Sequence, residues 1–381
     1  MLVVLAGCGR LDFADLANGA GGDGGSNSGT VDAQGGGSAS AHDPITVATG
    51  TGPSGIATGD LNGDGYPDLV VSNDNSADVS VFLGKGGGPL SSELRFAAGT
   101  DPGAVAIADL DGDGHPDLIV ANLGSNNVSI LRGIGDGTFA AAVDYPTAAE
   151  AAAVTVVDLD EDGILDLAVA AYTGNKVSVL LGTGGGTFGT ATSYTTGSSP
   201  AGVVAHDWNG DGHLDLLVTS FGTGKIDLLL GTGTGQFGAA TTTAAAANPQ
   251  GVAIGDLDGD GVAEVVTADF GANKISVFHG TTTGTFAAAT STAVGAGPIA
   301  VAIGDFNGDG KKDVVAANYM ATTTLTLLLG DGAGGFAAPK TLTVGKNPTA
   351  LVVGDFNGDG HDDIACANSA GNTMTVLFGP F

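Results

Sequence analysis

The chain has 381 residues, of which 41 are acidic and 11 basic, giving a formal net charge of -30 at pH 7. So few Lys and Arg cannot neutralise a phosphate backbone, which excludes nucleic acid as a partner, and the acid surplus suits divalent cations instead. No stretch reaches the roughly 18 apolar residues of a membrane-spanning helix, while 68 glycines set among Val, Ile, Leu and Thr fit short strands joined by tight turns.

At the N-terminus, Leu5-Ala6-Gly7-Cys8 resembles the lipobox of bacterial lipoproteins, which would make Cys8 the lipidated mature N-terminus and a lipid anchor the only membrane attachment. The apolar run before it, Leu2 to Ala6, is short and has no basic flank, so the reading expects the true start upstream. Residues 1–8 are then a signal and lipobox remnant. Residues 9–42, dominated from 17 onward by Gly, Ala, Ser, Asn and Asp, read as a flexible linker, because too little apolar surface is present to offset ordering. The two cysteines, Cys8 and Cys366, lie at opposite ends and form no disulfide framework. Cys366 sits in an apolar strand run and reads as a small core residue.

From residue 43 the chain repeats. An Asp-x-[Asn/Asp]-x-Asp-Gly-x-x-[Asp/Glu] string begins at Asp60, Asp109, Asp158, Asp207, Asp256, Asp305 and Asp355, at steps of 49 residues and a last step of 50. The extra residue falls around Tyr319 to Thr324, which is expected to be a loop. Each unit reads as four strands. In the second they are Ala104 to Ala108, Leu118 to Asn122, Val128 to Arg132, and Phe139 to Tyr145, separated by Gly- and Asn-rich turns. First and second strands apolar on both faces suit sheets stacked between other sheets. A Pro precedes each acidic string by seven residues (Pro53, Pro102, Pro200, Pro249, Pro298, Pro348), with Ala151 in the third unit. Lacking an N–H, it belongs where the chain enters a strand, crossing from one blade's rim to the next blade's innermost strand. The seventh unit stops after its third strand, and an orphan strand, Pro44 to Ala48, precedes the first. The prediction is therefore one all-β domain over 43–381: a seven-bladed β-propeller of four-stranded antiparallel blades, its ring closed by the N-terminal strand completing the last blade.

The acidic strings carry the chemistry. Positions 1, 3, 5 and 9 offer side-chain oxygens and position 7 a backbone carbonyl, enough hard ligands for calcium. The sets are Asp60, Asn62, Asp64, Tyr66 and Asp68; Asp109, Asp111, Asp113, His115 and Asp117; Asp158, Asp160, Asp162, Ile164 and Asp166; Asp207, Asn209, Asp211, His213 and Asp215; Asp256, Asp258, Asp260, Val262 and Glu264; Asp305, Asn307, Asp309, Lys311 and Asp313; Asp355, Asn357, Asp359, His361 and Asp363. Gly recurs at position 6 in all seven, where a sharp turn needs a permissive φ. Twenty-four of the 41 acids stand at the ligand positions of these loops, and without cations they repel. The expectation is up to seven structural Ca²⁺. Magnesium prefers to keep waters, and zinc lacks a Cys/His cluster. An EF-hand would need Glu at position 12, where the first loop has Val71. The third loop departs with Glu161 for Gly at position 4, the fifth with Glu264 at position 9. His115, His213 and His361, at position 7, read as exposed bystanders, and Trp208, at position 2, as core.

The stretches Gly59-Asp-Leu-Asn-Gly-Asp-Gly-Tyr-Pro-Asp-Leu-Val-Val71, Asn318-Tyr319 and Gly135-Asp-Gly-Thr-Phe139 resemble the FG-GAP/VCBS-type repeat, related to the propeller of integrin α-subunits. The resemblance covers residues 43–381. It implies a seven-bladed ring, calcium between first and second strands, and an extracellular or bacterial cell-surface setting, and it leaves the ligand open. Some fungal and bacterial lectins are similar rings.

In such a ring the calcium loops share a face with the third-to-fourth strand turns, and ligands commonly use the opposite face. There, fourteen residues past each loop start, stand Leu123, Tyr172, Phe221, Phe270 and Tyr319, with Asp74 and Ser369 in the remaining blades. These turn aromatics could stack on sugars or anchor a protein, or else plug between adjacent blades. The leading functional expectation is a calcium-stabilised, non-enzymatic binding or adhesion module, surface-displayed or secreted, recognising a glycan or an extracellular protein. The alternatives are a multivalent propeller lectin, a polysaccharide-active enzyme, and a purely structural scaffold. No nucleophile paired with a base marks an active site.

Overall fold

The computed structural model describes residues 43–86, 90–281 and 284–381. The lipobox, Cys8 and the linker lie outside them. Seven four-stranded antiparallel sheets follow one another. In the second blade the strands are Pro102–Ala108, Asp117–Asn122, Asn127–Leu131 and Val143–Pro146. The first strand is innermost and the fourth is at the rim.

Every second strand is buried along all six residues, because a blade is covered on both faces by its neighbours. Small side chains such as Ala104, Ala106 and Ala300 let the innermost strands approach the axis. The outer strands are exposed at two or three of their four residues and half-buried at the rest, as a sheet edge in water should be. Cys366 is fully buried in the seventh blade, and burial pushes its thiol far up.

The predicted proline positions open the innermost strands: Pro53, Pro102, Pro200, Pro249, Pro298 and Pro348, with Ala151 in blade 3. The residue before each turns left-handed, at φ between +50° and +69°: Gly52, Asp101, Glu150, Ser199, Asn248, Gly297 and Asn347. That kink reverses the chain from rim to axis. Hydroxyls then join consecutive blades at the axis. Ser54 Oγ donates to the Pro102 carbonyl at 2.6 Å, and Thr219 Oγ1 to the Gln250 carbonyl at 2.6 Å. Thr349 Oγ1 donates to the Pro53 carbonyl at 3.0 Å, joining blade 7 to blade 1. The strand Ile45–Ala48 lies antiparallel to Thr373–Leu377 as the outermost strand of blade 7.

The rim differs from expectation in one respect. The fourth strand of blade 2 begins at Val143 rather than Phe139. Phe139 instead bridges back to Gly133 and packs edge-on against Phe96 of blade 1, with centroids 5.2 Å apart. The same rim contact joins Tyr145 to Phe188 and Tyr194 to Phe237. The extra residue of blade 6 lies in the turn between its second and third strands, where Tyr319–Ala321 form a 3-10 turn and Thr324 opens the third strand.

Candidate functional site

Each acidic loop joins a first strand to a second and is shaped by its own carboxylates. In blade 1, Asp60 Oδ1 accepts the amides of Gly63 (2.8 Å) and Asp64 (3.2 Å), and Oδ2 accepts that of Gly65 (2.9 Å). Asn62 Oδ1 accepts the Asp64 amide and Asp64 Oδ1 the Tyr66 amide. All seven loops repeat the bond from the position-6 Gly amide to the first Asp, at 2.8 to 3.0 Å. These bonds draw oxygens together. Ligand atoms of Asp109, Asp111 and Asp117 lie within 4.8 Å of one another, as do those of Asp158, Asp160 and Asp166, and of Asp256, Asp258 and Asp260.

The position-9 acid sits deeper and ties two turns together. Asp68 accepts the Leu61 amide at 2.8 Å and the Gly84 amide, from the hairpin after the third strand, at 2.7 Å. Asp117, Asp166, Asp215, Asp313 and Asp363 repeat both bonds. Burial pushes the carboxyls of Asp68, Asp166 and Asp363 up to about 6, against the backbone N–H bonds that pull the other way; the loop's own acids push in the same direction as burial. Asp117, Asp215 and Asp313 shift upward for the same reasons.

Two loops depart from the pattern. In the third, Glu161 adopts φ +62° at a place where the other six loops have Gly. There Asp158 Oδ1 and Asp160 Oδ1 are buried with no hydrogen-bond partner. Desolvation and the nearby carboxylates of Asp162 and Asp158 push Asp160 upward. Clustered carboxylate oxygens lacking donors are the complement of a hard divalent cation, so the residues present fit one. In the fifth, Glu264 Oε2 accepts the Leu257 amide at 2.8 Å, while Oε1 lies 3.4 Å from His279 Nδ1, itself 3.8 Å from Asp258 Oδ2. His279 escaped the sequence reading. It follows the third strand, where the other blades carry Leu83, Arg132, Leu181, Leu230, Leu329 and Phe378. Arg132 likewise reaches its own loop, with Nη1 3.3 Å from Asp111 Oδ2.

The position-7 side chains turn away from the loops onto the neighbouring hairpin. Tyr66 covers Gly86, His115 covers Gly135, His213 covers Gly233 and Lys311 covers Gly332, while Ile164 and Val262 lie against Gly182 and Gly280. His361 lies beside Gly308 of the preceding blade. One histidine is more than a bystander: His213 Nδ1 lies 2.5 Å from Glu161 Oε1 of blade 3. Trp208 is core, buried edge-on between His206 and Phe286.

On the opposite face, the residue fourteen past each loop start straps its turn to the blade's entry. The amides of Asp74, Leu123, Tyr172, Phe221, Phe270, Tyr319 and Ser369 each donate to the carbonyl of the left-handed residue before the innermost strand, at 2.8 to 3.0 Å. The rings of Tyr172 and Phe221 meet at 6.3 Å and those of Phe221 and Phe270 at 6.1 Å, across successive blade seams. Leu123 and Phe270 are buried, while Tyr172, Phe221 and Tyr319 are half-buried.

The ring is similar to several solved structures. BBS1N in complex with ARL6DN, from a lead-soaked crystal, is 15% identical, with a TM-score of 0.61 over 88% of this chain and 95% of that one. Virginiamycin B lyase from Staphylococcus aureus is 14% identical, with a TM-score of 0.60 over 88% and 99%. An Agrocybe aegerita lectin that specifically recognises non-reducing terminal N-acetylglucosamine is 18% identical, with a TM-score of 0.53 over 88% and 86%. Identities this low speak to the fold alone. No curated protein matches the chain in sequence. A family profile described as FG-GAP-like repeat matches residues 60–120, 109–169, 158–218, 207–267, 256–316 and 305–366, each match running from one acidic loop through the next. With its period, its loops and its seven blades so matched, the chain belongs to the FG-GAP-like repeat family.

Proposed function

We propose that this propeller is a calcium-stabilised, non-enzymatic binding module, secreted or held at a bacterial cell surface, that recognises a glycan or an extracellular protein. The observation that carries the calcium reading is the pair of buried, donorless oxygens on Asp158 and Asp160, in a loop whose counterparts in blades 2 and 5 likewise bring carboxylate oxygens within 4.8 Å of one another. Asp158, Asp160, Asp162 and Asp166 would hold the ion there, with the Ile164 carbonyl, and the matching positions would hold it in the other blades. When bound, calcium neutralises the clustered carboxylates. The chain's own contribution is to orient them, through N–H bonds to positions 1 and 9.

The binding reading rests on the acids being absorbed by this framework and on blades that repeat one another closely. The similar rings include a lectin, so the scaffold is compatible with sugar recognition. Chelation with EDTA should lower the melting temperature by many degrees, because an ion bound only by the native state stabilises it, and calorimetric titration should count up to seven Ca²⁺. Equal melting in EDTA and in millimolar Ca²⁺ would defeat the calcium reading. A glycan array run with and without Ca²⁺, together with a pull-down against surface proteins, tests recognition.

A further inference from the structure

The seven blades differ at one buried place in the third strand. Six carry a hydroxyl there (Ser80, Ser129, Ser178, Ser276, Thr326 and Thr375), and blade 4 carries Asp227. The hydroxyl is a fixed part of the architecture: Ser80, Ser178 and Thr326 accept the amides of Gly50, Ala148 and Gly295, in the turn entering the blade, each at 3.1 Å. One oxygen of Asp227 does this work, Oδ2 accepting the Gly197 amide at 2.7 Å and the Ser220 hydroxyl. The other oxygen, Oδ1, is buried and has no hydrogen-bond partner. A carboxylate retained where a hydroxyl suffices six times, with half its acceptors unused, is missing a donor.

Asp227 lines a cavity of about 590 Å³ in the rim seam between blades 3 and 4. Thr195, Thr223 and Thr242 line it too, as do Tyr194, Phe237 and Lys225. Lys225 is two residues from Asp227 on the same strand, so both project from one face of the sheet. An ammonium there disfavours a cationic ligand and a carboxylate disfavours an anionic one. A neutral molecule rich in hydroxyls satisfies both, donating to Asp227 and accepting from Lys225. Aromatic edges beside polar groups suit the C–H faces of a sugar ring, and the volume admits one or two such rings.

We propose that this seam is a single saccharide-binding site, with Asp227 as the acceptor that selects a neutral sugar. This rests on the binding-module reading and narrows it to one sugar site per chain.

The test compares wild type, Asp227→Ser and Lys225→Ala on an array of neutral hexosides, N-acetylhexosaminides and uronic acids, followed by calorimetry with the strongest hit. Asp227→Ser restores the residue type of the other blades and should fold with an unchanged or higher melting temperature; Lys225→Ala alters only a half-exposed side chain. The proposal expects neutral-sugar binding by wild type at one site per chain, at least tenfold weaker in both variants. Undiminished binding in the two variants, or several equivalent sites, overturns the seam while leaving a glycan-binding module standing. Absence of any array hit overturns the seam as well, and together with capture of a protein partner it leaves the module a protein binder.

Discussion

Glu161 of the third acidic loop and His213 of the fourth meet across a blade seam, Oε1 to Nδ1 at 2.5 Å. The contact exists because Glu161 takes the left-handed conformation that its six counterparts reach as glycine. The Glu161 hydrogen bond is the largest cause that raises the His213 pKa above the ordinary imidazole value. A group raised in this way adds stability below its unfolded pKa, near 6.5, and the gain is lost as pH rises through the folded value. Both side chains are exposed, so the effect on stability is small. The prediction concerns titration: in metal-free protein followed by NMR, His213 should titrate higher than in Glu161→Gln. Identical titration in the two would show that the pair does not form.

The position-9 acid should matter most to folding. Asp117 accepts the Leu110 amide at 3.0 Å and the Gly133 amide at 2.8 Å. Asp117→Ala leaves both donors unpaired in a buried place, at about 1–3 kcal/mol each. Asp117→Asn keeps one oxygen and should lose less. Urea unfolding in EDTA, where no ion contributes, should rank wild type above Asn above Ala. An alanine variant as stable as wild type would refute the bridging role.

Acidity should affect metal-free and calcium-loaded protein in opposite senses. Asp68, Asp166 and Asp363 titrate at about 6, raised by burial from 3.8. The native state therefore binds protons between those values that the unfolded chain does not, and metal-free stability rises as pH falls through that window. Cation binding weakens in the same window, because protons compete for the ligands. Asp136, Asp211 and Asp331, lowered by local hydrogen bonds, act only below it. Melting curves in EDTA and in CaCl₂ should converge on going from pH 7 to pH 4.5. Curves that stay parallel would contradict the linkage.

The hairpin glycines facing position 7 carry a steric requirement. Gly135 sits at φ +85°, and a Cβ added there would lie 2.4 Å from the His115 ring. Gly135→Ala should destabilise by about 1–3 kcal/mol. Adding His115→Ala should recover the clash but not the backbone strain, leaving a positive coupling in a double-mutant cycle. Simple additivity would mean that the two never touch.

Much of this architecture was legible because every blade solves the same problem with the same residues. The period, the acidic positions of the loops and the entering prolines each recur, and recurrence separates them from chance. The left-handed residue before each innermost strand recurs as well, but as Gly, Asp, Glu, Ser or Asn, and residue type alone does not mark it. Phe139 is of a residue type common in strands, but its backbone bridge to Gly133 and the facing ring of Phe96 hold it in the hairpin. His279 and Asp227 were missed for the converse reason: each stands where one blade breaks its column, and a reading built on what the repeats share passes over such breaks.

The outermost strand of blade 7 comes from the other end of the described chain. Thr46 and Thr375, whose hydroxyls meet at 3.2 Å, are separated by 329 residues. As the chain leaves a ribosome, Ile45–Ala48 emerges first and must wait, unpartnered, until Thr373–Leu377 is made. The six intervening sheets can assemble in the meantime, each against its predecessor. The last blade works as a clasp: because Ile45 pairs with Val376, the two ends leave the strand pair on the same side, and mechanical pulling on them would peel that pair open bond by bond before any other sheet feels the force.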